Sequence, residues 1–239
     1  MSLSDPDVVR REYDSEDGLL ARASVYQGLA GPDARDLALE AVAEAAPARV
    51  LEVGCGWGEF AARVQRETAA KVIAVDQSAR MVQLARERGI DARVGDVQEL
   101  SFVDAAFDVE VANWMLYHVP DIDRGLSELA RVLRPGGRLV AATNGQRHLE
   151  ELWRIVGRDK GAETRHFFSE DGAELLRRHF AHVEQRDLES PMTFADAAAV
   201  RGYVSSSIAH KHLVGRVPEL MEPLVATRRS TVFVAEKAL

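Results

Sequence analysis

Cysteine is nearly absent. Cys55 is the only one in 239 residues, so the chain can form no internal disulfide and no thiolate metal cluster. Positive charge is also in deficit: 30 Lys and Arg face 38 Asp and Glu, a formal net charge of −8. A sequence-independent grip on phosphate backbones needs a basic surface, so nucleic acid is not expected as a partner. Long apolar runs are missing too, none approaching the ~18 residues of a membrane span, and no membrane partner is expected. The opening Met1-Ser2-Leu3-Ser4-Asp5-Pro6-Asp7 has no basic segment followed by an apolar one, and a cytoplasmic location is expected. His148, His166, His210 and His212 are scattered; the last pair lacks the i, i+4 spacing of a helical metal site, and no metal is expected. The sequence carries no sign of oligomeric state.

What remains is an ordinary globular composition, 46% hydrophobic and 28% charged. A chain of this length forms one large domain and buries roughly 70% of its unfolded surface. The spacing predicts one or two short helices over residues 5 to 30 and an amphipathic helix through Leu37, Ala38, Ala41, Val42 and Ala45, ended by Pro47. From there strands and helices alternate. Strands are read at 50–53, 71–76, 90–94, 107–113 and 138–142, with helices from Phe60, from Ser78 to Gly89, and from Asp121 to Leu133. Ser78 and Asp121 are the expected caps. Pro135-Gly136-Gly137 reads as the turn into the fifth strand.

Beyond Thr143 the periodicity is less regular. A helix is expected at 149–156, another capped by Ser169 and running through Phe180, and a sixth strand at 183–188. Residues 192–227 read as helical, and 231–235 as a final strand. Repeated strand–helix–strand units with short connections require right-handed crossovers, giving a doubly wound α/β fold around a mostly parallel sheet.

The stretch Val50-Leu51-Glu52-Val53-Gly54-Cys55-Gly56-Trp57-Gly58-Glu59-Phe60 carries the chemistry. It reads as strand, glycine loop, helix, and the glycines let a ligand approach the backbone with no Cβ in the way. Dinucleotide loops run G-x-G-x-x-G and offer a helix N-terminus to a pyrophosphate. Here Gly54, Gly56 and Gly58 alternate, and Glu59 stands where the third glycine would be. An acid in that turn repels a pyrophosphate. S-adenosylmethionine has no phosphate and carries an ammonium, so Glu52 and Glu59 suit it. Asp76, ending the second strand, can accept both ribose hydroxyls. Asp96 offers a carboxylate to the adenine amino group and Val97 a backbone N–H to the ring, while Asn113, ending the fourth strand, can meet the methionine ammonium.

With Val75-Asp76, Gly95-Asp96-Val97, Leu116-Tyr117-His118-Val119-Pro120-Asp121 and Leu133-Arg134-Pro135-Gly136-Gly137, the loop resembles the class I S-adenosylmethionine-dependent methyltransferases, most closely their small-molecule branch. The match covers about residues 36–145. It implies a seven-stranded sheet whose last strand is antiparallel and lies between the fifth and sixth. The chain as a whole is expected to be a single domain: a lid over 1–35, the cofactor core over 36–145, a helical insertion over 146–227 framing the acceptor, and the final strand over 228–239.

Gln77 and Met81 join the cofactor-binding set, S-adenosylhomocysteine is the expected product, and a small molecule is the expected acceptor. Arg22 is the candidate for the cofactor carboxylate, against a plain surface arginine. His118 either faces the acceptor as a base or builds its loop, and Trp114 and Tyr117 either line the pocket or pack. Phe167, Phe168, Met192, Phe194 and Tyr203 are expected as apolar walls for an aromatic or lipophilic acceptor, and Cys55 as a small filler of the loop. Three other functions remain open: cofactor binding without transfer, a nicotinamide oxidoreductase, and an RNA methyltransferase.

Overall fold

The computed structural model describes residues 31–158 and 167–239. The helices expected over residues 5–30, Arg22 and His166 lie outside these. The chain enters through α1 (Ala34–Glu44), capped by Asp33, whose carboxylate accepts from the Arg35 amide. Next come β1 (Arg49–Val53), α2 (Glu59–Thr68), β2 (Lys71–Asp76), α3 (Ala79–Glu87), β3 (Asp91–Val94), β4 (Phe107–Asn113) and α4 (Ile122–Val132). The expected caps hold: Ser78 Oγ accepts from the Met81 amide at 3.2 Å and Asp121 Oδ1 from the Arg124 amide at 3.0 Å.

The second part comprises β5 (Leu133–Asn144), α5 (Glu150–Ile155), α6 (Gly172–Leu176), β6 (His182–Phe194), α7 (Ala197–Ser205) and β7 (Leu224–Glu236). The seven strands lie in the order β3-β2-β1-β4-β5-β7-β6. The first five are parallel, and β7 runs antiparallel between β5 and β6. That is the expected architecture.

Side-chain alternation sorts the core onto two faces. Val50, Val72, Val111, Val140 and Val234 pack against α1, α2 and α3. Leu51, Ile73, Leu139 and Phe233 pack against α4 and α6. Strands covered on both sides read as near-continuous apolar runs, which is why Val72–Val75 are all buried.

Three expectations need correction. Residues 192–227 are not one helical region: β6 continues to Phe194 and β7 begins at Leu224, leaving α7 and a 3₁₀ turn at Lys211–Arg216 between them. Burial alternates along Ser190, Met192 and Phe194, so tertiary packing holds this segment extended. Ser169 does not cap α6. Asp171 takes that place and receives the Phe168 amide instead. The Pro135-Gly136-Gly137 segment is a bulge inside β5, where Leu133 pairs with Phe107 and Arg138 with Val109.

β6 and β7 pair over their full lengths, whereas β5 pairs with β7 only from Arg138↔Glu236 to Asn144↔Ser230. The far ends of β6 and β7 therefore overhang the carboxyl edge of the sheet. A third apolar cluster covers the overhang: Leu149, Leu152 and Trp153 of the α5 region, Val200 and Val204 of α7, and Leu213, with Met192, Phe194 and Ala226.

Candidate functional site

Three local devices shape the loop after β1. Gly54, Gly56 and Gly58 all have positive φ, at 66°, 51° and 77°. A Cβ on Gly54 would sit 2.6 Å from Cβ of Met115, and one on Gly58 would sit 2.8 Å from Cβ of Ala85. Only glycine meets both demands. The loop amides are then tied to β2: Gly54 and Cys55 donate to the Val75 carbonyl at 2.8 and 3.2 Å, and Gly56 donates to Asp76 Oδ2 at 2.9 Å. Asp76 Oδ1 takes the Ser78 amide at 2.9 Å. The acid thus braces the loop. Burial raises its carboxyl above the ordinary value against the pull of these amides.

Glu52, the penultimate residue of β1, is only 3% exposed. Its Oε2 has no hydrogen-bond partner. Burial pushes its carboxyl up to about 8, although the Ala61 amide in the first turn of α2 donates to it. On the adjacent β4, Asn113 presents Nδ2 and Oδ1 that are likewise buried without partners. Orphaned polar atoms at neighbouring strand ends are costly unless a ligand completes them. A cationic amino-acid group fits: Glu52 and Asn113 Oδ1 accept from an ammonium, and Asn113 Nδ2 can donate to a carboxylate. Glu59 opens α2 and accepts from Trp57 Nε1 at 3.2 Å, so this turn is acidic, as a phosphate-free cofactor requires.

The other expected residues divide. Asp96 lies just past β3, and its carboxylate accepts from the Gln98 amide at 2.8 Å and from the Gln98 side chain. It builds its own turn, and the adjoining Val97 side chain lies in the core. Gln77 is exposed and Met81 fully buried. His118 and Tyr117 sit half-buried on the 3₁₀ turn Leu116–His118, their rings 4.4 Å apart. Trp114 adopts φ 51° directly after Asn113 and donates from Nε1 to Asn144 Oδ1 at 3.0 Å, the atom that also accepts from Ser230 Oγ at 2.9 Å.

Cys55 is buried, which raises its thiol pKa, and it fills the loop as expected. Phe167 is not an acceptor wall. It is fully buried with φ 77° and packs edge-on to Phe233 in the core beneath α6. Met192 and Phe194 are 1% exposed inside the third cluster, where Tyr203 packs on Phe194 and Trp153. Met192 and Phe194 thus build the core of the overhang, with Tyr203 half-buried beside them.

Sequence reasoning missed Asn144 and Arg228. Asn144 ends β5 as Asn113 ends β4, and that strand-end pattern was available. Arg228 had no local signal. Among the described residues no cluster of His, Cys, Asp and Glu is grouped to hold a metal, and no helix is long and apolar enough to cross a membrane.

Comparison with known proteins agrees with this geometry. Residues 51–141 match the family model described as a methyltransferase domain. The chain is 33% identical over 185 residues to a malonyl-[acyl-carrier protein] O-methyltransferase of Pseudescherichia vulneris, covering 74% of this chain and 71% of that protein. It is 41% identical over 102 residues to the methyltransferase GfsG of Streptomyces halstedii, covering 39% of this chain and 37% of that one. Among solved structures, a Haemonchus contortus phosphoethanolamine N-methyltransferase 2, bound to phosphomonomethylethanolamine and S-adenosylhomocysteine, superposes with a TM-score of 0.65. Its identity is 18%, over all of this chain and 61% of that one.

Proposed function

Because the chain belongs to the class I S-adenosylmethionine-dependent methyltransferases, we propose that it transfers the cofactor's methyl to a small-molecule acceptor. The acceptor is held between the strand ends and the β6–β7 overhang. One observation supports the reading best: Glu52 Oε2 and both polar atoms of Asn113 are buried, partnerless and on adjacent strands. They are the donor and acceptor set of an α-amino acid group. S-adenosylmethionine, when bound, supplies an electrophilic methyl on sulfur and leaves as S-adenosylhomocysteine.

The residues then have separable roles. Gly54, Gly56 and Gly58 let the backbone come close, and Asp76, already bonded to Gly56 and Ser78, directs its remaining lone pairs at the ribose. Asp96, the Val97 backbone N–H and the exposed Gln77 meet the adenine, with the buried Met81 as the floor beneath it. Glu52 holds a proton in the free protein and gives it up when a cation arrives. Trp114 and Tyr117 flank the acceptor, and His118 is placed to take its proton where the nucleophile is a hydroxyl or amine. Methyl transfer needs little more than alignment and exclusion of water. The acidic surface and single cysteine support a small acceptor over nucleic acid, and a cytoplasmic location.

The test is incubation with methyl-labelled S-adenosylmethionine and a metabolite pool, with mass spectrometry for the species that gains the label. Parallel titrations should show binding of S-adenosylmethionine and none of NADPH. The reverse preference, or cofactor binding with no labelled product from any pool, would sink the proposal.

A further inference from the structure

Arg228 lies in the overhanging part of β7, opposite Ser190 of β6. It is 7% exposed, and its Nε and Nη2 are buried with no hydrogen-bond partner among the described residues. A guanidinium stays charged throughout the physiological range, and burying it with donors unmet is strongly unfavourable. Folded proteins rarely leave such a group incomplete.

The nearby carboxylate does not complete it. Asp33, the cap of α1, feels the charge of Arg228, but both of its oxygens are committed to Arg35. Oδ1 takes the Arg35 amide at 2.8 Å and Nε at 3.3 Å, and Oδ2 takes Nη2 at 2.8 Å. Arg35, which also feels Glu59 and Asp36, thus holds Asp33, and the two open donors of Arg228 are left without an acceptor. The open atoms also define the shape of what is missing. Nε–H and Nη2–H point the same way from one edge of the guanidinium plane, the side-on fork that matches the two oxygens of a carboxylate.

Register places this fork relative to the cofactor. Asn113 is level with Ala142, and Ala142 with Val232. Arg228 is four residues nearer the start of β7, so its Cα lies about 13 Å further out and about 10 Å to the side at ordinary strand spacings. It shares a face with Val232 and Val234, the face packed on α1. The cofactor's own amino-acid group is served at Asn113, and Arg228 stands on the acceptor side of it.

We propose that Arg228 is a specificity-determining residue that anchors a carboxylate on the methyl acceptor. This rests on the methyltransferase reading above. The protein therefore prefers acceptors with a free carboxyl group, and neutral analogues of the same shape bind poorly because they leave the guanidinium buried and unpaired.

The experiment is calorimetric titration of the full chain and of Arg228→Gln with three probes. These are S-adenosylhomocysteine, 5′-methylthioadenosine, which lacks the amino-acid group, and malonate added to the S-adenosylhomocysteine complex, with dimethyl malonate as the neutral control. The expected result is that wild type binds malonate and not its diester, and that Arg228→Gln weakens malonate about tenfold or more while leaving both nucleosides unchanged. Loss of S-adenosylhomocysteine affinity in Arg228→Gln with methylthioadenosine unaffected would assign the arginine to the cofactor's carboxylate and overturn the proposal. Equal malonate affinity in both proteins, or none in wild type, would also overturn it. Failure of S-adenosylhomocysteine to bind wild type would strike the methyltransferase reading instead. Should Arg228→Gln not fold, Arg228→Lys keeps the charge and loses the fork; malonate should still weaken, and wild-type affinity there would count against the bidentate grip.

Discussion

The parallel and antiparallel halves of the sheet solve different problems. β1 to β4 are four to seven residues long, and the interiors of β1, β2 and β4 are covered on both faces. Because they are short and stacked in register, they stop at nearly the same level, and their last residues and the turns beyond them converge: Glu52 and the glycine loop, Asp76, Asp96, Asn113. β6 and β7 are 13 residues each, alternate buried and exposed along half their length, and run past the edge where β5 stops. The first half makes a fixed crevice from strand ends. The second raises a wall above it, with its own small core and its own buried cation. The division suits an enzyme that holds one cofactor and chooses among acceptors, since the wall can change without disturbing the crevice.

The heaviest loss should come from damage to the crevice. Gly54→Ala places a Cβ against Met115 at positive φ, and we expect a loss of about 3–4 kcal/mol in stability and about a hundredfold in cofactor affinity. Urea melts and calorimetry measure the two. An unchanged affinity would mean the loop does not sit under the cofactor.

Trp153→Ala attacks the wall. Removing a buried indole costs about 3 kcal/mol or more, and acceptor KM should rise while cofactor affinity stays within about twofold. If both fall together, the two halves are not independent.

Asp76→Ala removes the brace of the loop and, on the proposed reading, the ribose contact at once. Cofactor affinity should drop by about 2–3 kcal/mol in binding free energy, with the melting of the β6–β7 wall unaffected by amide exchange.

Glu110 probes the foundation of the crevice from inside. It lies mid-strand in β4 between Leu51 and Leu139, fully buried with neither carboxyl oxygen partnered. Burial holds its carboxyl well above the ordinary range, against the attraction of Lys237 and Arg131. The protonated form is the one the fold accepts. Its contribution is fully present below the unfolded value, about 4.3, and is lost as pH rises through the folded one. Glu110→Leu should stabilise the protein by about 1–3 kcal/mol, more at pH 9 than at pH 6. A gain that is the same at pH 6 and pH 9 would show that the carboxyl is already ionised in the fold below pH 6.

The subtlest change is a proton count. The Glu52 carboxyl, raised to about 8, is mostly protonated at pH 7, and a bound ammonium favours its ionised form. Calorimetry of S-adenosylmethionine binding in buffers of different ionisation enthalpy should show release of up to about one proton at pH 7, absent in Glu52→Gln. Without cofactor, the same group costs stability as pH rises from about 4.5 towards 8.

The parallel half was legible in the sequence because its signals are local. Three glycines, the Ser78 and Asp121 caps and acids at strand ends each lie within a few residues of what they control. The wall was not, for a physical reason visible in β6: Ser190, Met192 and Phe194 alternate as a strand should, but Pro191 interrupts the run and the helical pattern of α7 comes close behind. Phe167 reads as an apolar wall for the acceptor because nothing nearby in sequence announces Phe233, its partner across the core. Arg228 is the extreme case. The charge it feels is that of Asp33, nearly two hundred residues away, and no window of sequence contains both.

The position of β7 between β5 and β6 also governs how the chain assembles. Among the described residues β6 has no neighbour in the sheet except β7, so on a ribosome it waits until residues 224–236 have emerged. Until then β5 also shows an open edge, and the first five strands are a half-sheet with a sticky rim. Closing it requires the last strand to slip between two that were made long before, a non-local step that sets a slow pace. Truncation within β7 should therefore yield aggregation of a largely formed half-sheet, with the earlier strands offering their free edges to one another.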